Sequence, residues 1–386
     1  RDFKNEVVER LTGGLGQLAK TRKVDYVRGM GTFRDSHTIQ VKADGGETVT
    51  VNADHTIIAT GSRPVSLPGV SFDSNSVMSS ESALDINDIP GSLIVIGAGY
   101  IGLEMSTIYA ALGSRVTIVE MLPDIMSGAD RDLVSGYIKQ AGSSFEAILT
   151  LTKAKLEVTG NGIKVVYEGG ERDGKEEHFD KALLTVGRKP NSENIGLENT
   201  KVETGSKGFI KTDAQRRTSD DAIFAIGDVS GVPLLAHKAT HEGKTAVRVI
   251  AGGKDAFEPY AIPSVEYTYP EIAWCGLTET EAKEKGKNIK VLKFPWGASG
   301  RAATLGFKEG LTKLIVDPET ERVLGAGIVG AGAGELIPEA ALAIELAARA
   351  SDISLTIHPH PTLSETIMEA AEMLYGEATD IYRPGK

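Results

Sequence analysis

The segment Gly97-Ala98-Gly99-Tyr100-Ile101-Gly102 constrains this chain more than any other, because it lies between two apolar runs of strand length. Leu93 to Ile96 precedes it, a helical stretch from Leu103 to Leu112 follows, and Val116 to Val119 supplies a second strand. Strand, glycine turn, helix and strand make one βαβ unit, which belongs in a parallel sheet flanked by helices. Gly97 permits the tight turn, Gly99 lets backbone N–H groups approach an anion, and Gly102 lets helix and strand pack closely. A diphosphate there meets the positive end of the helix, so Gly97, Ala98, Gly99, Tyr100, Ile101 and Gly102 form a candidate dinucleotide cradle. Glu120 stands about 20 residues past the turn, where a carboxylate accepts from a free ribose hydroxyl and repels a 2′-phosphate. The expected nucleotide is NAD(H) rather than NADP(H).

A second match to the same pattern, Gly325-Ala326-Gly327-Ile328-Val329-Gly330, serves as a control. About 20 residues beyond it an Ala-rich helix ends and no strand carries an acid, so it is read as a strand and a crowded turn.

The 386 residues suit two or three domains. A net charge of −11 argues against a nucleic-acid or anionic-membrane partner. Apolar runs stop well short of the roughly 20 residues that span a bilayer, so the chain is expected to be soluble. The single cysteine, Cys275, permits neither an intrachain disulfide nor a thiolate-rich metal site, and the histidines have no metal-ligand spacing.

Along the chain, a helix over Val7 to Leu18 is followed by short alternating strands. Thr56 to Ala59 is a buried-type strand running into Thr60-Gly61-Ser62, and prolines 64, 68 and 90 punctuate a linker. Later apolar strands, Leu183 to Val186 and Ile223 to Ile226, end in glycine; the second runs into Asp228, which can accept from a polyol or cap a loop. After residue 262 come alternating strands, an Ala-rich helix from Pro338 to Ala350 and a last helix from Ser364 to Tyr375. The expected fold is α/β: two three-layer nucleotide-binding domains, the first incomplete, and a C-terminal α+β dimerisation domain. The division expected is 1–89 as the remnant of a flavin domain with its linker, 90–188 for NAD, 189–262 as a central segment returning to the flavin, and 263–386 for dimerisation.

Taken in order, Ala59-Thr60-Gly61-Ser62, the Gly97 turn, Val186 to Asn191, Ala225-Ile226-Gly227-Asp228, Leu234-Leu235-Ala236-His237-Lys238-Ala239 and His358-Pro359-His360-Pro361-Thr362-Leu363-Ser364-Glu365 resemble the pyridine nucleotide-disulfide oxidoreductases over essentially the whole chain. Within that family the ending resembles the branch that reoxidises dihydrolipoyl groups with NAD+ through a disulfide and FAD. The resemblance implies that Asp228 holds the FAD ribityl, that Leu234, Leu235, Ala236 and His237 run along the flavin, and that Thr60, Gly61 and Ser62 line it. It further implies NAD contacts from Gly187 and Ala154, and Glu104 where nicotinamide meets flavin. Implied partners are the dihydrolipoyl domain of an acyltransferase or a glycine-cleavage carrier protein, and a second copy of the chain in a homodimer. The implied location is the cytoplasm, or a mitochondrial matrix. The family also carries a flavin-binding βαβ, a Cys-x4-Cys pair and a lysine facing Glu104; none is found here, so the sequence is expected to be a fragment. A noncatalytic NAD-binding dimer module, or a related NAD(P)H-dependent disulfide reductase with another substrate, stays open.

Thiol oxidation requires a base, because the thiolate is the nucleophile, and His360 between two prolines is the candidate. Glu365 could accept from its other ring nitrogen and fix the tautomer. The same Glu365 also completes the pattern Thr-x-x-Glu of a helix capping box. His358 is read as structural.

Overall fold

The computed structural model describes residues 1–307 and 309–381, and the chain divides into two compact units, 1–65 with 188–258 and 66–187 with 259–386. In chain order the first unit opens with α1 (Asp2–Thr21), none of whose residues is buried. A meander follows, β1 (Gly29–Phe33), β2 (Thr38–Ala43) and β3 (Thr48–Asn52). Next come β4 (Thr56–Ile58) and β5 (Ser62–Pro64).

The second unit begins with β6 (Val77–Met78) and α2 (Ser80–Ala83). The βαβ core is β7 (Ser92–Ile96), α3 (Tyr100–Ala111) and β8 (Arg115–Val119). After it run α4 (Arg131–Ala141), β9 (Ala147–Leu149), β10 (Lys153–Thr159), β11 (Gly162–Glu168), β12 (Glu176–Phe179) and β13 (Lys181–Leu184). A parallel sheet takes the order β6-β13-β7-β8-β9. Because side chains alternate along a strand, Leu93 and Val95 join the helical layer with Leu103 and Tyr109. Ile94 and Ile96 face the other way, onto Ile163, Val165 and Tyr167 of the β10-β11-β12 meander. That meander is the third layer, and sequence periodicity did not reveal it.

The segment read as a linker divides differently in space. Residues 66–89 belong to the second unit, since Val77 and Met78 pair with Ala182 and Leu183 as an edge strand of its sheet. Short strands of two residues carry no periodicity to read, and the prolines around them read as loop.

The chain then returns to the first unit with β14 (Arg188–Pro190), β15 (Ile223–Ala225) and α5 (Ala236–Ile250), where β14 pairs with β5 and β15 with β4. The remainder of the second unit is β16 (Ser264–Glu266), β17 (Glu271–Gly276), α6 (Glu279–Glu284), β18 (Lys290–Pro295), α7 (Gly300–Leu305), β19 (Leu311–Val316) and β20 (Val323–Gly330). It ends with α8 (Ala333–Glu345), α9 (Ala350–Ser354) and α10 (Glu365–Glu372). Its antiparallel sheet has the order β16-β17-β20-β19-β18.

The second glycine match lies inside β20, where a side chain on Gly325 would meet the Leu277 carbonyl and one on Gly330 the Trp296 ring. Glycine serves strand packing there. The Ala-rich helix starts at Ala333 and stops at Glu345, five residues earlier at each end than its composition predicts. Gly332, in left-handed conformation, turns the chain into it, and Ala347 at φ +54° ends it.

Candidate functional site

At the C-terminal edge of the parallel sheet the glycine turn is held from three sides. The Gly97 N–H donates to Val119 O at 2.8 Å, and Thr185 Oγ1 donates to Gly97 O at 2.9 Å. A Cβ on Gly102 would lie 2.0 Å from Gly97 O, whereas one on Gly99 would meet nothing within 4 Å. Helix and turn are therefore in contact, and open space lies in front of Gly99. Gly99 is the N-cap of α3 and provides no side-chain cap, and the positive helix end faces the open space in front of it. This is a cradle of the shape and polarity a dinucleotide diphosphate needs.

Glu120 accepts from the Ala98 N–H at 2.8 Å through Oε2 and from Leu122 N–H at 2.9 Å through Oε1, so its carboxylate is oriented beside the turn. The Glu120 carbonyl accepts from Thr152 N–H at 3.0 Å, which brings the chain entering Ala154 to the same edge. Gly187, at φ +129° with open space about it, follows Thr185 past the end of β13. Tyr100 and Ile101 form the first turn of α3, and Glu104 lies on its second. Glu104 Oε1 accepts from Tyr267 N–H at 2.8 Å, and burial pushes its carboxyl above the usual carboxylate range. One residue away from that N–H, buried Glu266 is pushed up to about 8 by burial first and by the charge of Glu104 second. Its Oε2 has no hydrogen-bond partner.

In the first unit, the strand pairings bring Thr60, Gly61, Ser62 and Asp228 together although more than 160 residues separate them. Ser62 Oγ donates to Asp228 Oδ2 at 2.6 Å and accepts from Arg188 Nε at 2.7 Å. Thr60 Oγ1 donates to Asn191 O at 2.7 Å, and Asn191 Nδ2 donates back to Thr60 O at 2.9 Å. A Cβ on Gly61, at φ +70°, would meet nothing within 4 Å. Asp228 sits on a short 3₁₀ turn, Gly227–Ser230, and Leu234 and Leu235 lead into Ala236 and His237 at the start of α5. An oriented acid beside an open glycine loop and a helix N-terminus suits the hydroxyls of a flavin side chain, so the residues present fit this part of a flavin site.

The last loop holds a histidine–carboxylate pair. His360 Nδ1 donates to Glu365 Oε1 at 2.9 Å, and Glu365 Oε2 accepts from Thr362 N–H at 2.6 Å. The contact with His360 is formed, but the capping box is not: α10 begins at Glu365 with Ser364 as its N-cap and no side-chain cap, and only the Thr362 N–H bond of that pattern is present. The His360 side chain is 77% exposed, leaving Nε2 at the surface. His358 is engaged at both ring nitrogens, by Thr356 O at 2.8 Å and Glu339 Oε1 at 2.7 Å.

Elsewhere, Asp130, Asp132 and Glu279 form the one grouping of three carboxylates among the described residues able to converge on a cation. The ammonium of Lys313 already lies 2.6–2.8 Å from all three. Cys275 is buried in β17, and burial pushes its thiol up to about 12, so it is no nucleophile at neutral pH. Sequence reasoning missed Thr185, Tyr267 and the role of Arg188 toward Ser62. Arg188 lay inside a quoted motif, but its distant contact has no local signal.

A family model described as pyridine nucleotide-disulphide oxidoreductase matches residues 1–243, and one described as the dimerisation domain of the same family matches 262–371. Dihydrolipoyl dehydrogenases of Vibrio cholerae and Haemophilus influenzae are 45% and 47% identical, each over 99% of this chain and 80% of their own length. That of Thermus scotoductus is 45% identical over 98% of this chain and 81% of its own. Among solved structures, the HOCl-induced flavoprotein disulfide reductase RclA from Escherichia coli superposes with a TM-score of 0.87 at 26% identity, covering 96% of this chain and 85% of that one. LpdA from Mycobacterium tuberculosis gives 0.82 at 27%, covering 91% and 75%.

Proposed function

The chain belongs to the pyridine nucleotide-disulphide oxidoreductases, and from that premise we propose that it is the catalytic polypeptide of a dihydrolipoyl dehydrogenase, reoxidising dihydrolipoyl groups with NAD+. The observation that carries the reading is the His360–Glu365 pair at 2.9 Å, in a chain that also has an oriented dinucleotide cradle. Identity of 41–47% to dihydrolipoyl dehydrogenases favours this substrate over that of the more distant disulfide reductases. FAD, when bound, supplies the two-electron relay between a dithiol and NAD+. Gly97 to Gly102 bind the NAD diphosphate, Glu120 accepts from its ribose, and Gly187 and Ala154 border it. Asp228, steadied by Ser62, accepts from the flavin polyol, with Thr60, Gly61 and the backbone from Leu234 to His237 beside it.

Glu365 holds the proton on His360 Nδ1, which leaves Nε2 as the lone-pair nitrogen that takes a thiol proton; the imidazolium so formed keeps its carboxylate partner. The sequence holds one cysteine, in β17, so the exchanging disulfide that such chemistry requires is not among these 386 residues. By this reading 1–65 and 188–258 serve the flavin, 66–187 the nucleotide and 263–386 pairing with a second copy. The dihydrolipoyl substrate is carried on an acyltransferase or glycine-cleavage carrier, in the cytoplasm or a mitochondrial matrix.

The test is dihydrolipoamide-dependent NAD+ reduction by the complete holoenzyme. His360→Gln is expected to lower the rate by about 100-fold or more while the NADH dissociation constant stays unchanged. An undiminished rate removes His360 from the reaction, and a wild-type enzyme inert to dihydrolipoamide but active on another disulfide overturns the substrate.

A further inference from the structure

We propose that Glu242 is a positioning residue for flavin binding, acting through the turn that carries Asp228; this rests on the reading of Asp228 as the polyol acceptor. Glu242 comes from the middle of α5 and is completely buried. Its Oε2 accepts from the Gly227 N–H at 2.7 Å, one residue before Asp228. Lys238, one helical turn earlier and also buried, donates to Glu242 and to Gly231 O at 3.0 Å. The four-residue turn Gly227–Ser230 is thus tied at its entrance by Glu242 and at its exit by Lys238, and the two ties are joined to each other.

A third charge completes the arrangement. Arg216 Nη1 donates to Glu242 Oε1 at 2.8 Å, and Arg216 adopts a left-handed backbone at φ +63°. A left-handed backbone is unfavourable for a side chain of that size, and here it accompanies the guanidinium's contact with Glu242. Its planar group also lies over the Phe257 ring, 5.4 Å from the centroid. Buried ion pairs are commonly no more stabilising than apolar side chains of the same volume. What this one secures is the direction of the Gly227 peptide, at φ +73°, and with it the direction in which Asp228 leaves the chain.

Ser62 holds Asp228 from one side at 2.6 Å, and Glu242 fixes the backbone beneath it. A group that merely stabilises the unit would weaken flavin binding equally whatever residue stands at 228. A group that aims Asp228 loses its effect once that acid is gone.

The experiment is a double-mutant cycle on the complete enzyme, stripped of flavin and titrated with FAD, following the dissociation constant and the visible flavin band. Glu242→Gln is expected to raise the FAD dissociation constant about tenfold or more and to shift the band, and to change it by less than about twofold when introduced into Asp228→Asn. Equal effects in both backgrounds, or no effect in the wild-type background, overturn the inference. An Asp228→Asn enzyme that binds FAD as tightly as the wild type overturns the flavin-site reading instead. Should Glu242→Gln not fold, Glu242→Gln with Lys238→Met removes the ammonium left unpaired and carries the same comparison.

Discussion

Glu266 shows how a single side chain can set a pH dependence for the whole fold. Its carboxyl is buried at the end of β16, one oxygen is unpartnered, and Glu104 adds a like charge nearby. Between the ordinary 4.5 and about 8 the folded protein keeps a proton that the unfolded chain has released. The folded state therefore binds more protons in that window, and stability falls as pH rises through it, by about 1.4 kcal/mol per unit of difference at most. Glu266→Gln is expected to flatten this slope and to raise the thermal midpoint at pH 8 more than at pH 5. Equal midpoint changes at the two pH values would show that the carboxyl is already ionised in the folded state. Nothing in the sequence around Glu266 announces this, since an acid in an alternating strand reads as the solvent-facing member. Cys275 contrasts with it, because a lone thiol ending the apolar run Ile272-Ala273-Trp274-Cys275 is most simply a buried one, and it is buried.

The glycine turn and its helix were readable for the opposite reason: every requirement is met within 30 residues of chain. Strand length, turn residues, helical spacing and the closing acid all agree on one local geometry. The structure separates the roles of two of its glycines. Gly102 is packed against Gly97 O, and Gly99 faces open space. Gly102→Ala is accordingly expected to lower stability, by about 1–3 kcal/mol for a forced overpacking. Gly99→Val should leave the thermal midpoint nearly unchanged and weaken NADH binding at least about tenfold by filling the place of the diphosphate. Calorimetry with NADH beside a melting curve distinguishes the two, and tight binding by Gly99→Val would place the diphosphate elsewhere. The β10-β11-β12 meander escaped notice although part of its pattern was local: Lys153 to Val158 alternates polar and apolar residues up to the Gly160-Asn161 turn, and only β12 lacks such alternation. Burial against Ile94 and Ile96, a tertiary fact, is what stabilises them.

At the scale of the molecule, the dimerisation domain that the family model assigns to 262–371 points to a homodimer. Around its C-terminal helices Leu346, Leu355 and Ile357 are exposed, Ile357 to 95%, which makes them apolar surface that a second copy could cover. Ile357→Asp is expected to yield a monomer in sedimentation that still binds NADH; an unchanged dimer would put the contact on another face. No described helix is long and apolar enough to cross a membrane. By itself the sequence determined the α/β class and the glycine turn with its neighbouring acid, because each depends on residues close together along the chain, while His360 was singled out by the family resemblance of the C-terminal motif. Only the tertiary structure decided that Ser62 meets Asp228, that Tyr267 holds Glu104, that residues 66–89 join the nucleotide unit and that Glu242 lies beneath the Asp228 turn. Those contacts join segments brought near each other by sheet pairing and core burial, and a one-dimensional pattern carries no term for them.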